Sequence, residues 1–551
     1  MTAQSDETTP LSPGDPKYQA IEQPVSGDAV FQQSGRDEEN VAVPESPSKP
    51  PVEVLTSVGS IIAVLLLGEF ISNADSTLIM AATARISSEF NRLQGAAWLS
   101  TGYTLGVCVA QPMYGKLSDI YGRKPLLLWS YFFLALGCVV CGLATDMWVV
   151  LVGRALSGVG GAGVMTMSSI IITDIVSKRE VAKWRSFINI SMTLGRSIGG
   201  PVGGVLTDTI GWRWAFLLQA PLLAIAALIV TIQLKLIPRE SLDGRPTGSR
   251  ISRIDFQGSI LVATSIAAII LLLDQGGKSF VWASWPTLAL ASSGILTLLL
   301  FIYTELYVAA EPIFNLHILN RPNVVASYLV SSFQAAAQVG MMFTVPLYFQ
   351  VTSQASTTVA GTHLVPAVAG NAIGGLTAGF FIRNTGNYKP ILVIAGLIAC
   401  ISYLLQILCW NGHTGVWESF YIIFGGLGSG SASSAAFVCM TAFLEPQEIA
   451  MATGGYLLLL SFAITAGITS NYTLLGSEFK RQLHARLHGP REHKITHRAL
   501  SSIEYITSLT GSIRETVVGS YVAGLKHAYI FSLTCSLLAS VSALSARNHR
   551  L

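Results

Sequence analysis

Long uncharged apolar stretches recur along this chain from residue 55 almost to its last residues. Each is about 20 residues long, which is the length that a helix needs to cross the hydrocarbon core of a bilayer. Only 12% of the 551 residues are charged, and the mean hydropathy is +0.53. In a typical soluble domain about 25% of residues are charged. The pattern therefore excludes a soluble globular protein and predicts an integral membrane protein.

The sequence holds fourteen such stretches. Because backbone N–H and C=O groups must be paired within hydrocarbon, the stretches are expected to be helices and the protein all-α and polytopic. The predicted spans are residues 57–76, 95–115, 126–145, 148–170, 186–207, 213–234, 257–274, 286–307, 324–349, 358–381, 390–410, 417–442, 449–470 and 526–545.

Lysine and arginine residues in the short loops predict how the spans are oriented. With a cytosolic N-terminal segment, the short cytosolic loops hold fifteen of these residues, Arg185 among them, and the short outer loops hold four. Both ends of the chain are therefore expected in the cytosol. The net charge of +3 is explained by this topology, so no nucleic-acid partner is expected.

Residues 1–54 differ in composition from the rest of the chain. They are rich in Pro, Ser, Gln and acidic residues, with ten acids against three bases. Such a segment buries too little apolar surface to fold, so a disordered acidic cytosolic tail is expected. It also lacks the basic segment and apolar core of a cleavable signal peptide.

Ionisable residues within the spans are costly to bury and are candidates for function. Glu69 and Asp75 lie in the first span, and six residues of helix separate their directions by about 120°. Arg154 lies in the fourth span and needs either a hydrated cavity or an anionic partner, for which Asp75 and Glu69 are the candidates. Protonation of the acid would open this pair and couple a proton to a conformational change. The alternative is a permanent pair that only holds the helices together.

The fifth span contains a run of small residues between Gly195 and Gly204, including Gly199 and Pro201. The glycines allow a neighbouring helix to approach closely, and the proline removes a backbone hydrogen bond and is expected to bend the helix. No Lys-Ser or Lys-Thr pair follows, so the run is not a phosphate-binding loop. Arg196, within this run, is expected either to contact a substrate or its carboxylate or to pair with a nearby acid.

The loop after the second span reads Gly-Lys-Leu-Ser-Asp-Ile-Tyr-Gly-Arg-Lys-Pro at residues 115–125. Gly115 and Gly122 permit a tight turn between two helices. Asp119 is expected to pair with Arg123 or with a neighbouring helix terminus. Such a contact would lock one conformation on the cytosolic side, as a gate does.

These motifs resemble those of the major facilitator superfamily. Residues 115–125 resemble its signature loop, the Arg154 run resembles its fourth-span pattern, and residues 195–204 resemble its antiporter pattern. A degenerate copy of the loop recurs at residues 379–390, as expected of a fold with two related halves. Fourteen spans point to the drug:proton antiporters with fourteen spanning helices. Within these, the chain most resembles fungal multidrug and toxin exporters and vacuolar basic amino-acid transporters.

This resemblance implies two six-helix bundles and two linking helices. The expected domains are the N-terminal bundle at 55–235, the cytosolic loop and linking helices at 236–310, the C-terminal bundle at 311–545 with a long outer loop at 471–525, and a cytosolic tail at 546–551. No enzyme activity, metal or other cofactor is expected. The expected partners are a small-molecule substrate, protons and the lipid bilayer, and the protein is expected to be a monomer.

We expect a proton-coupled antiporter that moves a toxin, drug or secondary metabolite out of the cytosol at the plasma membrane. The first alternative is a vacuolar importer of basic amino acids, and an alternative of another class is a non-transporting membrane sensor. Polar residues of the ninth span, such as Gln334, Gln338 and Tyr348, are expected either to line the cavity or to pack. Asn471 begins an Asn-Tyr-Thr sequence at the expected outer end of span thirteen and is a candidate glycosylation site.

Overall fold

The computed structural model describes residues 58–90, 98–234, 255–275, 284–309, 314, 316–355, 357–415, 417–487, 499 and 503–547, all of which belong to one compact unit. The predicted acidic tail at 1–54 and residues 548–551 lie outside this part of the chain. Within the described part, the regular structure is helical and contains no strand, as the apolar stretches predicted.

Seventeen helices follow one another in the described residues. They are α1 Val58–Glu89, α2 Trp98–Tyr121, α3 Arg123–Gly142, α4 Met147–Ile175, α5 Lys178–Thr209, α6 Trp212–Leu217, α7 Gln219–Gln233, α8 Phe256–Gln275, α9 Trp285–Tyr307, α10 Pro322–Thr352, α11 Thr357–Thr362, α12 Val365–Thr385, α13 Lys389–Cys409, α14 Ile422–Thr441, α15 Pro446–Arg486, α16 Ile503–Ser508 and α17 Gly511–Leu544. Short 3-10 helices at Leu316–Asn320 and Glu418–Tyr421 precede α10 and α14.

Eleven helical segments of the described chain are long and apolar enough to cross a membrane. Three further predicted spans coincide with α2, α5 and α10, which are 24, 32 and 31 residues long but more polar. Helices α2 and α5 contact the second half of the chain, and α10 is packed among α14, α15 and α17, so their polar side chains have protein partners. The total of fourteen spans therefore stays a prediction.

The packing follows the two halves of the sequence. In the first half α1 packs on α5, and α4 packs on both α2 and α3. In the second half α12 packs on α14, and α17 packs on both α10 and α13. The halves meet where α5 contacts α12 and where α2 contacts α15. Helices α8 and α9 pair with each other at the edge, and α9 exposes large apolar side chains such as Leu288, Ile295 and Leu299, which suit contact with lipid.

Most of the described residues in the predicted outer segment at 471–525 are helical. Helix α15 continues to Arg486 and α17 begins at Gly511. Leu475, Phe479 and Leu483 recur every four residues, and each is at most 7% exposed because it packs against α17. At about 1.5 Å per residue, the 41 residues of α15 are about 60 Å long, so the helix extends well beyond the hydrocarbon core.

Close helix contacts depend on glycine at particular positions. A Cβ atom at Gly158 of α4 would lie under 3.0 Å from the carbonyl oxygen of Tyr103 on α2. A Cβ atom at Gly426 of α14 would meet the carbonyl oxygen of Ala367 on α12 in the same way. Small residues therefore set the helix spacing in both halves.

Candidate functional site

A central cavity that is partly open to solvent lies between the two halves of the chain. Its wall is formed by α5 from the first half and by α10, α14 and α15 from the second. The polar side chains of the wall include Arg185, Asn189, Arg196, Gln334 and Gln338. The apolar ones include Met192, Val339, Met342, Leu460 and Ile464. The wall is amphiphilic, which suits a small organic solute.

Arg185 was not identified as a site residue from the sequence. It was counted among the cytosolic loop residues, but it lies on α5, about two turns from the start of the helix, and is 3% exposed. Its Nη1 donates a hydrogen bond to the Ser169 hydroxyl, and its guanidinium lies 4.5 Å from the centre of the Phe437 ring. The loop count therefore loses one residue, and the cavity gains a buried cation.

Arg196 and Glu69 are brought together through Asn73 of α1. Arg196 Nε donates to Asn73 Oδ1 at 3.0 Å, and Asn73 Nδ2 donates to Glu69 Oε2 at 3.4 Å. Glu69 is fully buried behind α5 and does not line the cavity. Its other carboxylate oxygen accepts no hydrogen bond within 3.5 Å. Glu69 is thus a buried acid that interacts with two arginines without a direct ion pair to either.

Asp75 and Arg154 form the ion pair that the sequence suggested, and Asp75 rather than Glu69 is the partner. Arg154 Nη1 lies 2.7 Å from Asp75 Oδ2, and both side chains are 0% exposed. Gln219 Nε2 donates to Asp75 Oδ1 at 3.2 Å, and Arg154 lies over the Tyr103 ring. The pair therefore joins α1, α4 and α7, while Glu69 serves a separate set of partners, as the helix geometry predicted.

The loop at residues 115–125 lies at the end of the molecule where α2 ends and α3, α5, α13 and α15 begin, which we call the basic end. Arg123 pairs with Asp119 at 2.6 Å, as predicted, and also with Asp174 of α4 at 2.9 Å. Gly122 has φ +90°, which glycine adopts readily. A Cβ at Gly115 would lie 2.6 Å from the carbonyl oxygen of Ala450 on α15. Arg123 thus links this segment to α4 of the first half, and Gly115 brings it into close contact with α15 of the second half.

Further contacts hold the halves together between the basic end and the cavity. Ser186 of α5 lies 2.9 Å from the Ser434 hydroxyl of α14 and also bonds the carbonyl oxygen of Gly375 on α12. Asn189 Nδ2 donates to Asn371 Oδ1 at 2.7 Å. Asn189 itself lines the cavity, and Ser186 lies on the side of it toward the basic end, so the two halves are in contact on this side of the cavity.

The glycines of the fifth span pack against α1. Gly195 lies against Phe70 and Gly199 against Ala74, so close that a Cβ on either would meet main-chain atoms. Gly203 continues this stripe against Leu78, because residues four apart share a helix face. Helix α5 runs unbroken through Pro201, whose side chain is exposed.

Two other predictions from the sequence have different outcomes. Gln334 and Gln338 line the cavity, whereas Tyr348 packs against Trp410 with ring centres 4.7 Å apart. Asn471 is 2% exposed inside α15, and its amide lies against Gly340 of α10. This burial argues against glycosylation at Asn471, which had been placed in a loop. Among the described residues, no three His, Cys, Asp or Glu side chains are arranged to hold a metal ion.

Comparison with known proteins identifies the family. The model of the Major Facilitator Superfamily matches residues 65–468. The chain is 30% identical over 506 residues to the vacuolar membrane amino acid uptake transporter fnx2 of Schizosaccharomyces pombe, covering 90% of this chain and 85% of the relative. It is 31% identical over 500 residues to the multidrug resistance protein fnx1 of the same organism, covering 90% and 92%.

Two solved structures share the fold at low sequence identity. The human organic anion transporter MFSD10 (TETRAN) aligns with a TM-score of 0.57 and 14% identity, covering 89% of this chain and 99% of that one. The proton:xylose symporter XylE aligns with the same TM-score and identity, covering 88% and 94%. The chain is therefore a multi-pass membrane protein of the major facilitator superfamily, a family of transporters rather than enzymes.

Proposed function

We propose that this protein is a proton-coupled antiporter that moves a small organic solute out of the cytosol by alternating access. The solute is a toxin, drug or secondary metabolite, and the membrane is the plasma membrane. The observation that carries the proposal is the pair of fully buried carboxylates, Glu69 and Asp75, on a helix packed against the cavity-lining α5. Buried acids within a membrane are costly and mark proton or substrate pathways.

The proposed cycle starts from the described conformation, with the basic end facing the cytosol and closed. The carboxylate of Asp75 holds α4 and α7 through Arg154 and Gln219. A proton on Asp75 removes its negative charge and weakens both contacts. The first half is then free to move, the contacts at the basic end break, and the cavity opens to the cytosol. The protein acts as a monomer, because each chain contains a complete cavity.

The experiment measures solute uptake into sealed vesicles with an acidic lumen and with the cytosolic face of the protein outside. A lipophilic cationic dye and a lipophilic anionic dye are compared with labelled lysine, arginine and histidine. Proton-coupled antiport predicts saturable uptake that a protonophore abolishes. Uptake that persists without the proton gradient would contradict the coupling.

A variant separates coupling from folding. Asp75→Asn is expected to lose gradient-driven uptake but to retain exchange of labelled for unlabelled solute at equal concentrations. The matched control is Glu515→Gln, at an exposed position near the start of α17, which is expected to keep both activities. Loss of both activities in Asp75→Asn would assign Asp75 a structural role only.

The second candidate function is import of basic amino acids into the vacuole by proton antiport. The similarity to fnx2, which extends over 90% of this chain, favours it. Both functions move solute away from the cytosol, so the orientation of the protein is the same. Lysine uptake without dye uptake in the vesicle assay would select this candidate and the vacuolar membrane.

A further inference from the structure

The charge of the cavity wall is unbalanced. Arg185 and Arg196 both line the cavity, and no Asp or Glu residue does. The acid nearest to both arginines is Glu69, which is fully buried behind the wall. Within the described chain, neither arginine lies within 4.0 Å of a carboxylate oxygen. The wall therefore carries more positive than negative charge.

The two guanidinium groups also have hydrogen-bonding capacity to spare. Arg185 is 3% exposed, yet its Nε has no hydrogen-bond partner, although a guanidinium offers five N–H donors. Arg196 uses its Nε for the amide oxygen of Asn73. Gln334, which is 2% exposed, has an unpartnered Nε2 on the same wall. Unpaired buried donors are costly, so a ligand that accepts hydrogen bonds at these atoms binds favourably.

The remaining wall sets the shape of the ligand. Met192, Val339, Met342, Leu460 and Ile464 offer apolar surface beside the arginines. Methionine side chains adapt to ligands of different outline. A ligand that satisfies both parts carries an anionic group and an apolar body.

We propose that the cavity binds an amphiphilic organic anion, whose carboxylate accepts hydrogen bonds from Arg185 and Arg196. This proposal rests on the proposed function, because it takes the central cavity as the transport site. A cationic side chain finds no counter-charge on the wall. The site therefore prefers a carboxylate over an amine of the same skeleton.

The test measures ligand binding to the full-length protein in lipid nanodiscs at pH 7 by isothermal titration calorimetry. The three ligands are 4-phenylbutyrate, 4-phenylbutanamide and 4-phenylbutylamine, which share a skeleton but differ in charge. Hydrogen bonds to charged groups contribute about 1.5–3 kcal/mol. The carboxylate is therefore expected to bind about tenfold or more tightly than the amide and the amine.

Variants assign the effect to the two arginines. Arg185→Gln and Arg196→Gln are each expected to weaken carboxylate binding about tenfold or more and to leave amide binding unchanged. Arg196→Lys keeps the charge and is expected to restore part of the affinity. Arg481→Gln is the matched control, because Arg481 pairs with Glu478 away from the cavity and is 71% exposed. Thermal unfolding of each variant verifies that it is folded.

Three results would overturn the proposal: no carboxylate binding at millimolar concentration, amine binding as tight as carboxylate binding, or full carboxylate affinity in both glutamine variants. These binding measurements need no proton gradient. Carboxylate binding without gradient-driven transport would therefore refute the proposed antiport and leave the anion site standing.

Discussion

Asp75 and Arg154 illustrate how much a single buried charge depends on its partner. Both side chains are 0% exposed and 2.7 Å apart. Removal of one charge leaves the other uncompensated, which costs about 3–5 kcal/mol, whereas removal of both costs less. We expect Asp75→Asn to lower the unfolding temperature of the purified protein more than the double variant Asp75→Asn/Arg154→Gln does. A double variant that is less stable than the single one would contradict the view that the uncompensated charge of Arg154 is what destabilises Asp75→Asn.

Glu89 gives a pH dependence outside the membrane-spanning segments. The indole N–H of Trp212 donates a hydrogen bond to Glu89 Oε2 at 2.6 Å, and this hydrogen bond and the ion pair with Arg213 lower the pKa of the Glu89 carboxyl below its ordinary value. A carboxyl with a lowered pKa stabilises the fold above its ordinary pKa, and this stabilisation is lost as the pH falls through the lowered value.

The corresponding experiment compares the unfolding temperatures of the wild type and Glu89→Gln across pH. The wild type is expected to be more stable by a constant margin between about pH 5.5 and 7, and the margin is expected to shrink below about pH 4. The effect is modest, because the Glu89 side chain is 42% exposed. A margin that grows on acidification would contradict the assignment.

The sequence predicted those site residues whose burial is costly wherever they occur. Asp75 and Arg154 stand out because each interrupts an apolar stretch, and a pair follows from the need for compensation. Arg185 escaped notice because it lies only seven residues after Lys178, where the apolar stretch and the basic loop overlap. Asp174 escaped for a similar reason, at the last turn of α4. For a charged residue near the end of a predicted span, the sequence does not show whether the side chain is buried in the protein or exposed in the loop.

At the scale of the helices, mean hydropathy predicts where a helix crosses the membrane but not where it ends. Residues 471–486 were assigned to a loop because Lys480, Arg481 and neighbouring polar residues lower the average. The feature of the sequence that indicates a helix here is the spacing of Leu475, Phe479 and Leu483, which recur every four residues and are buried on one face. Conversely, two helices, α11 and α12, occupy a single predicted span. The mean hydropathy of that span does not reveal the break between them.

The glycine contacts between helices give a matched pair of substitutions. Gly426→Ala places a methyl group under 3.0 Å from the carbonyl oxygen of Ala367, and such overpacking costs about 1–3 kcal/mol. Gly200→Ala meets no atom within 4 Å and is expected to be neutral or to stabilise α5 by up to about 1 kcal/mol. Thermal unfolding of the two purified variants measures the difference. Equal stability would mean that α12 and α14 can separate without loss.

At the scale of the whole molecule, the two halves must separate at the basic end if the cavity is to open to the cytosol. The described contacts between the halves include buried hydrogen bonds, such as Ser186 with Ser434 and Asn189 with Asn371, beside the packing of α5 on α12 and of α2 on α15. We call the contact of α5 with α12 and α14 the seam. Opening of the cavity to the cytosol requires these contacts at the seam to break, while each half keeps its own helix packing.

The last prediction tests this seam with a reversible cross-link. The hydroxyl oxygens of Ser186 and Ser434 are 2.9 Å apart, on α5 and α14, so Ser186→Cys/Ser434→Cys brings two thiols within reach of a disulfide bond. Oxidation is expected to stop solute uptake into vesicles, because the halves can no longer part, and a reducing agent is expected to restore it. Each single cysteine variant, treated with the same oxidant, controls for the seven native cysteines, which are free in this structure. If the cross-linked protein transports at the wild-type rate, the halves do not separate along α5 and α14, and the cytosolic opening must form elsewhere.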